Sequence, residues 1–136
     1  MIGISGSRTF GWAAAITVLN VAVASGFAIV GLIRPGLILA PGQTVSPATA
    51  VFAMYAAART LPLAGFVVAV IVRRSASGLL LLGALAGVIQ ILDAVVGWSE
   101  HDLGKTVGPL LIAALQFAAI IALRNESRQT GQDCVG

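Results

Sequence analysis

The chain has 136 residues, of which 58% are hydrophobic and only 10% are charged, and its mean hydropathy is +1.00. Soluble domains are about 45–50% apolar and about 25% charged, so this composition excludes a soluble domain and predicts an integral membrane protein. The net charge of +3 comes from basic residues scattered at the ends of apolar runs, without interleaved aromatic residues. That pattern indicates membrane topology and no nucleic-acid partner.

Four apolar segments approach or exceed the length that crosses a hydrocarbon core of about 30 Å at a rise of about 1.5 Å per residue. We predict spans at residues 12–33, 48–72, 78–98 and 107–123, with an N-terminus at 1–11 and a flexible polar tail at 124–136. Residues 22–25, Ala-Val-Ala-Ser, resemble a signal-peptide cleavage site, but the apolar stretch continues to Ile33, so we expect an uncleaved span. The predicted fold is an all-α, four-helix transmembrane bundle.

The distribution of lysine and arginine predicts the orientation of this bundle. Five basic residues fall in the N-terminus, the middle loop and the tail: Arg8, Arg73, Arg74, Arg124 and Arg128. Two others, Arg34 and Lys105, fall in the two remaining loops. Because cytoplasmic segments carry the excess of basic residues, we expect both termini in the cytoplasm. The expected location is the bacterial inner (cytoplasmic) membrane, with the lipid bilayer as the surrounding partner.

The two external loops share a motif. Residues 42–47 read Gly-Gln-Thr-Val-Ser-Pro and residues 104–109 read Gly-Lys-Thr-Val-Gly-Pro. Proline is favoured in the first helical turn, so both prolines are expected there, with Thr44, Ser46 and Thr106 as candidate caps. The motif indicates either a duplicated two-helix hairpin or two helix starts that use the same chemistry.

Two charged residues lie inside the predicted spans. Arg59 is near the middle of the second span, where an arginine costs roughly 2.5–3.5 kcal/mol to insert. Asp93 is the only acidic residue within any span. At 4 Å and an effective dielectric near 20 their attraction is about 4 kcal/mol, which offsets the insertion cost of one partner. We therefore predict an intramembrane ion pair between them.

Other polar side chains lie at similar depth. The six candidate ligand-binding residues are Tyr55, Arg59, Gln90, Asp93, Gln116 and Asn20. We expect them to line one polar chamber in the outer half of the membrane, with Asp93 and Arg59 as the candidates for catalysis. The alternative is that these groups serve only as hydrogen-bonding glue between helices. A stripe of small residues on the third span predicts close helix packing: Gly83, Gly87, Gln90, Ala94 and Gly97.

Several kinds of chemistry are not predicted. Cys134 is the only cysteine, so neither an intrachain disulfide nor a CxxC redox motif can form. Residues 99–102, Ser-Glu-His-Asp, are expected to be a solvated loop, because consecutive loop residues seldom converge on one metal ion. The chain carries no nucleotide-binding or zinc-protease motif. We predict no metal and no cofactor.

Three stretches carry a resemblance to a known family: GLIRPGLILAPG, YAAARTLPLAG and ILDAVVGW, together with the last span. Over residues 20–123 the chain resembles small four-span bacterial membrane proteins of the DoxX-like group, specifically an uncharacterised relative. Arg59 and Asp93 occupy the positions of an arginine and an aspartate found in those relatives, whereas Thr60 replaces an aspartate. The resemblance implies the four-helix fold and a link to quinone-connected redox complexes.

These observations leave three functional hypotheses. The first is a lipophilic-ligand-binding or accessory subunit of a membrane redox complex, with a quinone or a membrane oxidoreductase as partner. The second is a membrane enzyme, such as an isomerase, a cyclase or an epoxide-opening catalyst. In it, Asp93 would act as acid or base and Arg59 would steady negative charge. The third is a small transporter or an oligomeric scaffold built from several copies of the chain.

Overall fold

The computed structural model describes residues 8–39 and 42–132, and within them the backbone forms helices and no strand. The helices are α1 (Arg8–Ile33), α2 (Pro47–Val72), α3 (Ala76–Ser99) and α4 (Leu103–Gln132), with a short 3-10 turn at Pro35–Leu37. All four α-helices are long and apolar enough to cross a membrane. The prediction of an all-α, four-helix bundle in a multi-pass membrane protein is confirmed.

The start of α2 follows the predicted capping chemistry. The backbone N–H of Thr49 donates to Ser46 Oγ at 3.2 Å, and the N–H of Ser46 donates to Thr49 Oγ1 at the same distance. Pro47 is the first residue of the helix, where its missing N–H leaves no bond unmade. This reciprocal box satisfies two backbone donors that the helix itself leaves unpaired.

The start of α4 differs from the prediction. The helix begins at Leu103, because the carboxylate of Asp102 accepts the backbone N–H of Lys105 at 3.1 Å and caps the first turn. The expected cap Thr106 lies inside that turn and donates its hydroxyl to the Asp102 carbonyl oxygen at 2.8 Å. Pro109 therefore lies inside the helix rather than in its first turn. The motif shared by the two loops thus has different structural roles in α2 and α4.

The other end of α4 also extends beyond the predicted span. The helix continues from Leu123 to Gln132, through most of the segment expected to be a flexible tail. Between these residues the chain has no proline, and its first glycine is Gly131, so no strong helix breaker stops the helix earlier. Cys134 lies outside the described residues.

The closest helix packing is between α3 and α4, along the predicted stripe of small residues, which is buried. A Cβ added at Gly87 would meet the ring of Phe117 at 2.9 Å. At Gly97 an added Cβ would overlap the backbone of Lys105, and it would meet the backbone nitrogen of Thr106 at 2.8 Å. The α3–α4 contact therefore depends on glycine at these positions.

Helix α2 lies at the edge of the bundle. It packs chiefly against α1, where a Cβ added at Gly31 would lie 3.7 Å from Ala53 Cβ. Only 11% of its apolar membrane-spanning stretch is buried, compared with 28–33% for the other three helices. Its buried residues are Ala53, Ala57 and Val67. Most of the α2 surface is consequently presented to the surroundings of the bundle.

One lysine joins the two loops at the end of the bundle predicted to be external. The ammonium group of Lys105 donates to the carbonyl oxygen of Ile38 at 2.9 Å, which ties α4 to the α1–α2 loop. It also pairs with the carboxylate of Glu100 at 2.7 Å, and Asp102 lies 3.7 Å away. These contacts hold the α1–α2 and α3–α4 connections together.

We predict that Gly97→Ala destabilises the protein by about 1–3 kcal/mol, because the added methyl group forces α3 and α4 apart. The measurement is the free energy of unfolding in mixed detergent micelles. Gly108→Ala is the matched control, since an added Cβ there meets nothing within 4 Å. Equal stabilities of the two variants would contradict the close approach of α3 to α4.

We predict that Lys105→Met lowers the free energy of unfolding by about 1 kcal/mol, because the Ile38 carbonyl and the Glu100 carboxylate lose their shared donor. The groups are partly exposed, so the effect stays modest. Lys105→Arg, which keeps the charge, should recover part of the loss. A Lys105→Met variant as stable as the wild-type protein would show that the loops need no such link.

Candidate functional site

Four polar side chains meet inside the bundle and form a continuous run of hydrogen bonds, here called the amide cluster: Thr17, Asn20, Gln90 and Gln116. Gln90 Nε2 on α3 donates to Asn20 Oδ1 on α1 at 2.6 Å. Asn20 Nδ2 donates to Gln116 Oε1 on α4 at 3.3 Å, and Gln116 Nε2 donates to Thr17 Oγ1 at 2.8 Å. The run ends where the Thr17 hydroxyl donates to the carbonyl oxygen of Ala13 at 2.7 Å.

The helix geometry explains why these side chains meet. Thr17 and Asn20 are three residues apart, so they share one face of α1. Gly83 makes room on α3, because a Cβ there would lie 2.8 Å from Gln116 Nε2. Gln90 lies on the same buried stripe of α3 as Gly83. The cluster therefore forms where small residues let three helices approach one another.

The amide cluster is closed to its surroundings. Its four side chains are only 0–3% exposed, and they bond to one another. Their polar groups are therefore directed at one another. Within hydrocarbon, where water does not compensate unpaired polar groups, such bonds hold helices together. The arrangement favours the alternative that Asn20, Gln90 and Gln116 act as interhelical glue.

The polar residues of α2 face away from the amide cluster. Tyr55 is 65% exposed, and Arg59 is exposed as well. Arg59 Nε donates to the backbone carbonyl oxygen of Tyr55 at 3.4 Å. This bond directs the guanidinium group toward the first residues of α2, in the direction that helical side chains generally lean.

Asp93 on α3 is also exposed on the outside of the bundle. Arg59 and Asp93 both belong to the described residues, and no N–O distance between them falls within the 4.0 Å of an ion pair. The predicted direct pair is therefore absent from the single chain. The two side chains project from α2 and α3, which contact each other in the bundle.

We name the surface around these residues the charged face: Tyr55, Arg59 and Phe66 of α2, and Asp93 of α3. Arg59 and Phe66 are seven residues apart and so share one side of α2. Arg59 lies about 18 Å from the first residue of α2, and Asp93 about 9 Å from the last residue of α3, by the helical rise. A positive and a negative charge therefore both lie on the outside of the bundle at hydrocarbon depth.

The six predicted site residues thus divide into two groups. Asn20, Gln90 and Gln116 come together in the amide cluster, whereas Tyr55, Arg59 and Asp93 lie on the charged face. Thr17 was not among the predicted residues. Its spacing of three residues from Asn20 is the signal that places it on the same helix face.

The loop at residues 99–102 has structural contacts. Glu100 binds the ammonium group of Lys105, and Asp102 caps α4. His101 has a positive φ of 55° and is exposed at the turn between α3 and α4. Among residues 8–39 and 42–132, no three His, Cys, Asp or Glu side chains are grouped so that they could hold a metal ion.

Comparison with known proteins adds no relative. No protein-family model matches the chain, and no curated protein and no solved structure matches it.

We predict that Gln116→Leu destabilises the protein by about 1–3 kcal/mol, because Asn20 and Thr17 both lose a partner inside the bundle. Gln90→Leu removes one bond to Asn20 and should cost about half as much. Unfolding in mixed micelles measures both changes. Leu115→Ala, at an exposed position of α4, controls for loss of surface contacts. Gln116→Leu with wild-type stability would show that the amide cluster contributes no net stability.

Proposed function

We propose that this chain is a non-catalytic accessory subunit of the bacterial cytoplasmic membrane, whose charged face contacts another membrane-embedded protein. The observation that carries this proposal is the exposure of Arg59 and Asp93 on the outside of the bundle at hydrocarbon depth. A charged side chain facing lipid is costly, and such residues almost always face protein or a water-filled cavity. A protein partner with matching charges removes that cost.

The same observation makes an enzyme a weaker proposal. An acid–base catalyst for a lipophilic substrate needs Asp93 in a shaped pocket with converging polar groups. Here Asp93 and Tyr55 are exposed on the outer surface of the bundle, and the buried amides bond to one another. A transporter likewise needs polar groups that face an interior path, whereas the buried amides of this bundle bond to one another.

Membership in the DoxX-like group and cytoplasmic termini are part of this proposal. The sequence motifs around Arg59 and Asp93 support the membership, and the excess of basic residues supports the orientation. The implied link to a quinone-connected redox complex gives one setting for an accessory subunit. In such a setting the chain supplies a membrane-embedded contact surface, and a separate oxidoreductase supplies the redox chemistry.

The experiment is site-specific photocrosslinking in native membranes. A photoreactive phenylalanine analogue replaces Phe66 on the charged face or, as the matched control, Leu111 on α4. The two side chains are similarly exposed, at 65% and 62%. We expect protein adducts from position 66 and mainly lipid adducts from position 111. Arg59→Ala should lower the adduct yield at position 66 roughly ten-fold, as loss of a close charge pair does.

Two results would contradict the proposal. Lipid adducts alone at position 66 would show that the charged face meets the bilayer. Equal protein adducts at positions 66 and 111 would show crowding of the membrane rather than a specific contact.

A further inference from the structure

We propose that the protein covering the charged face is a second copy of this chain, in a two-fold dimer where Arg59 of each copy pairs with Asp93 of the other. This inference rests on the proposed function, because it names the occupant of the same face. The following observations on charge, depth and direction carry it.

The charged face is complementary to itself. It carries one cation, Arg59, and one anion, Asp93, and the two make no ion pair within the chain. A two-fold interface brings the same patch of each subunit together, so residue i contacts residue j and j contacts i. A single arginine and a single aspartate on one patch therefore form two equivalent pairs, which leaves neither charge unmatched.

The depths of the two residues suit an axis along the membrane normal. Rotation about that axis keeps every residue at its own depth, so both copies retain the same topology. Arg59 then lies about 9 Å deeper than Asp93 of the other copy, by the helical rise. The bond from Arg59 Nε to the Tyr55 carbonyl shows that the arginine side chain leans outward. Because α3 runs in the opposite direction, the Asp93 side chain leans inward, and the two directions close the gap.

The position of α2 leaves space for a second copy. It is the least buried helix, and its exposed Phe66 lies two helical turns from Arg59 on the same side. A phospholipid is a poorer partner for these charges, because its charged groups lie in the headgroup region, whereas the backbone of Arg59 lies within the hydrocarbon core. The remaining alternative is an ion pair between Arg59 and Asp93 of the same chain. Charge-reversal variants of the two residues distinguish that pair from the dimer.

The test uses energy transfer between two dye-labelled populations reconstituted in vesicles of phosphatidylethanolamine and phosphatidylglycerol. Cys134 is the only cysteine, so each chain takes one dye. Wild-type chains should show transfer. Arg59→Asp and Asp93→Arg, each alone, should weaken self-association by roughly ten-fold or more, since like charges then oppose each other. A mixture of the two variants should restore transfer, because one chain carries two anions and the other two cations.

The mixture separates the dimer from a pair within one chain. Within its spans, the Arg59→Asp chain carries only anions and the Asp93→Arg chain carries only cations. Neither variant can form an ion pair within its own chain. Transfer that returns in the mixture must therefore come from ion pairs between chains. Arg59→Gln and Asp93→Asn provide a second route if the charge-reversal variants fail to fold, as judged by helical circular dichroism. These neutral variants should fold and weaken self-association. Wild-type transfer in either folded variant would overturn the inference.

The outcomes also distinguish this inference from the proposed function. If wild-type chains show no transfer while position 66 crosslinks to a different protein, the dimer is wrong and the accessory role stands. If neither transfer nor a protein adduct is found, both are wrong. A mixture without restored transfer overturns the reciprocal pairing.

Discussion

The structure depends on the requirement that polar groups inside hydrocarbon find partners within the protein. The amide cluster meets this requirement by joining α1, α3 and α4 through side chains that each lie beneath the surface. Asn20 is its centre, since it accepts from Gln90 and donates to Gln116. The glycines of α3 make this cluster possible, because they let the helices approach closely enough for the side chains to bond to one another. Packing and polar pairing thus impose the same arrangement.

The apolar runs predicted the helices well because span length and composition follow directly from the thickness of the bilayer. The ends were less accurate. Residues 103–106 contain no long apolar run, and only the Asp102 cap reveals that α4 begins there. The apolar run ends at Leu123, yet α4 continues to Gln132, because a helix does not need apolar residues once it leaves hydrocarbon. Hydropathy predicts which residues lie within the membrane, whereas local hydrogen bonds determine where a helix begins and ends.

The sequence predicts which polar residues lie within the spans, but it does not predict which of them meet. Depth along each span follows from the sequence, and the side chains of Asn20, Gln90 and Gln116 do bond to one another. Rotation of each helix about its own axis does not follow from depth. In α2 the buried side is set by Ala53 and Ala57 against α1, and this rotation turns Arg59 outward. The polar residues predicted to line one chamber are therefore divided between the amide cluster inside the bundle and the charged face outside it.

The amide cluster also has a consequence for biosynthesis. Asn20 and Gln116 are 96 residues apart in the chain, and Thr17 and Gln116 are 99 apart. At typical translation rates the ribosome needs roughly 5–20 s to make the intervening chain. During that interval the bonds from α1 to Gln116 cannot form. Of the bonds that join α1 to the other helices in the cluster, the one from Gln90 can form first, and those with Gln116 form last.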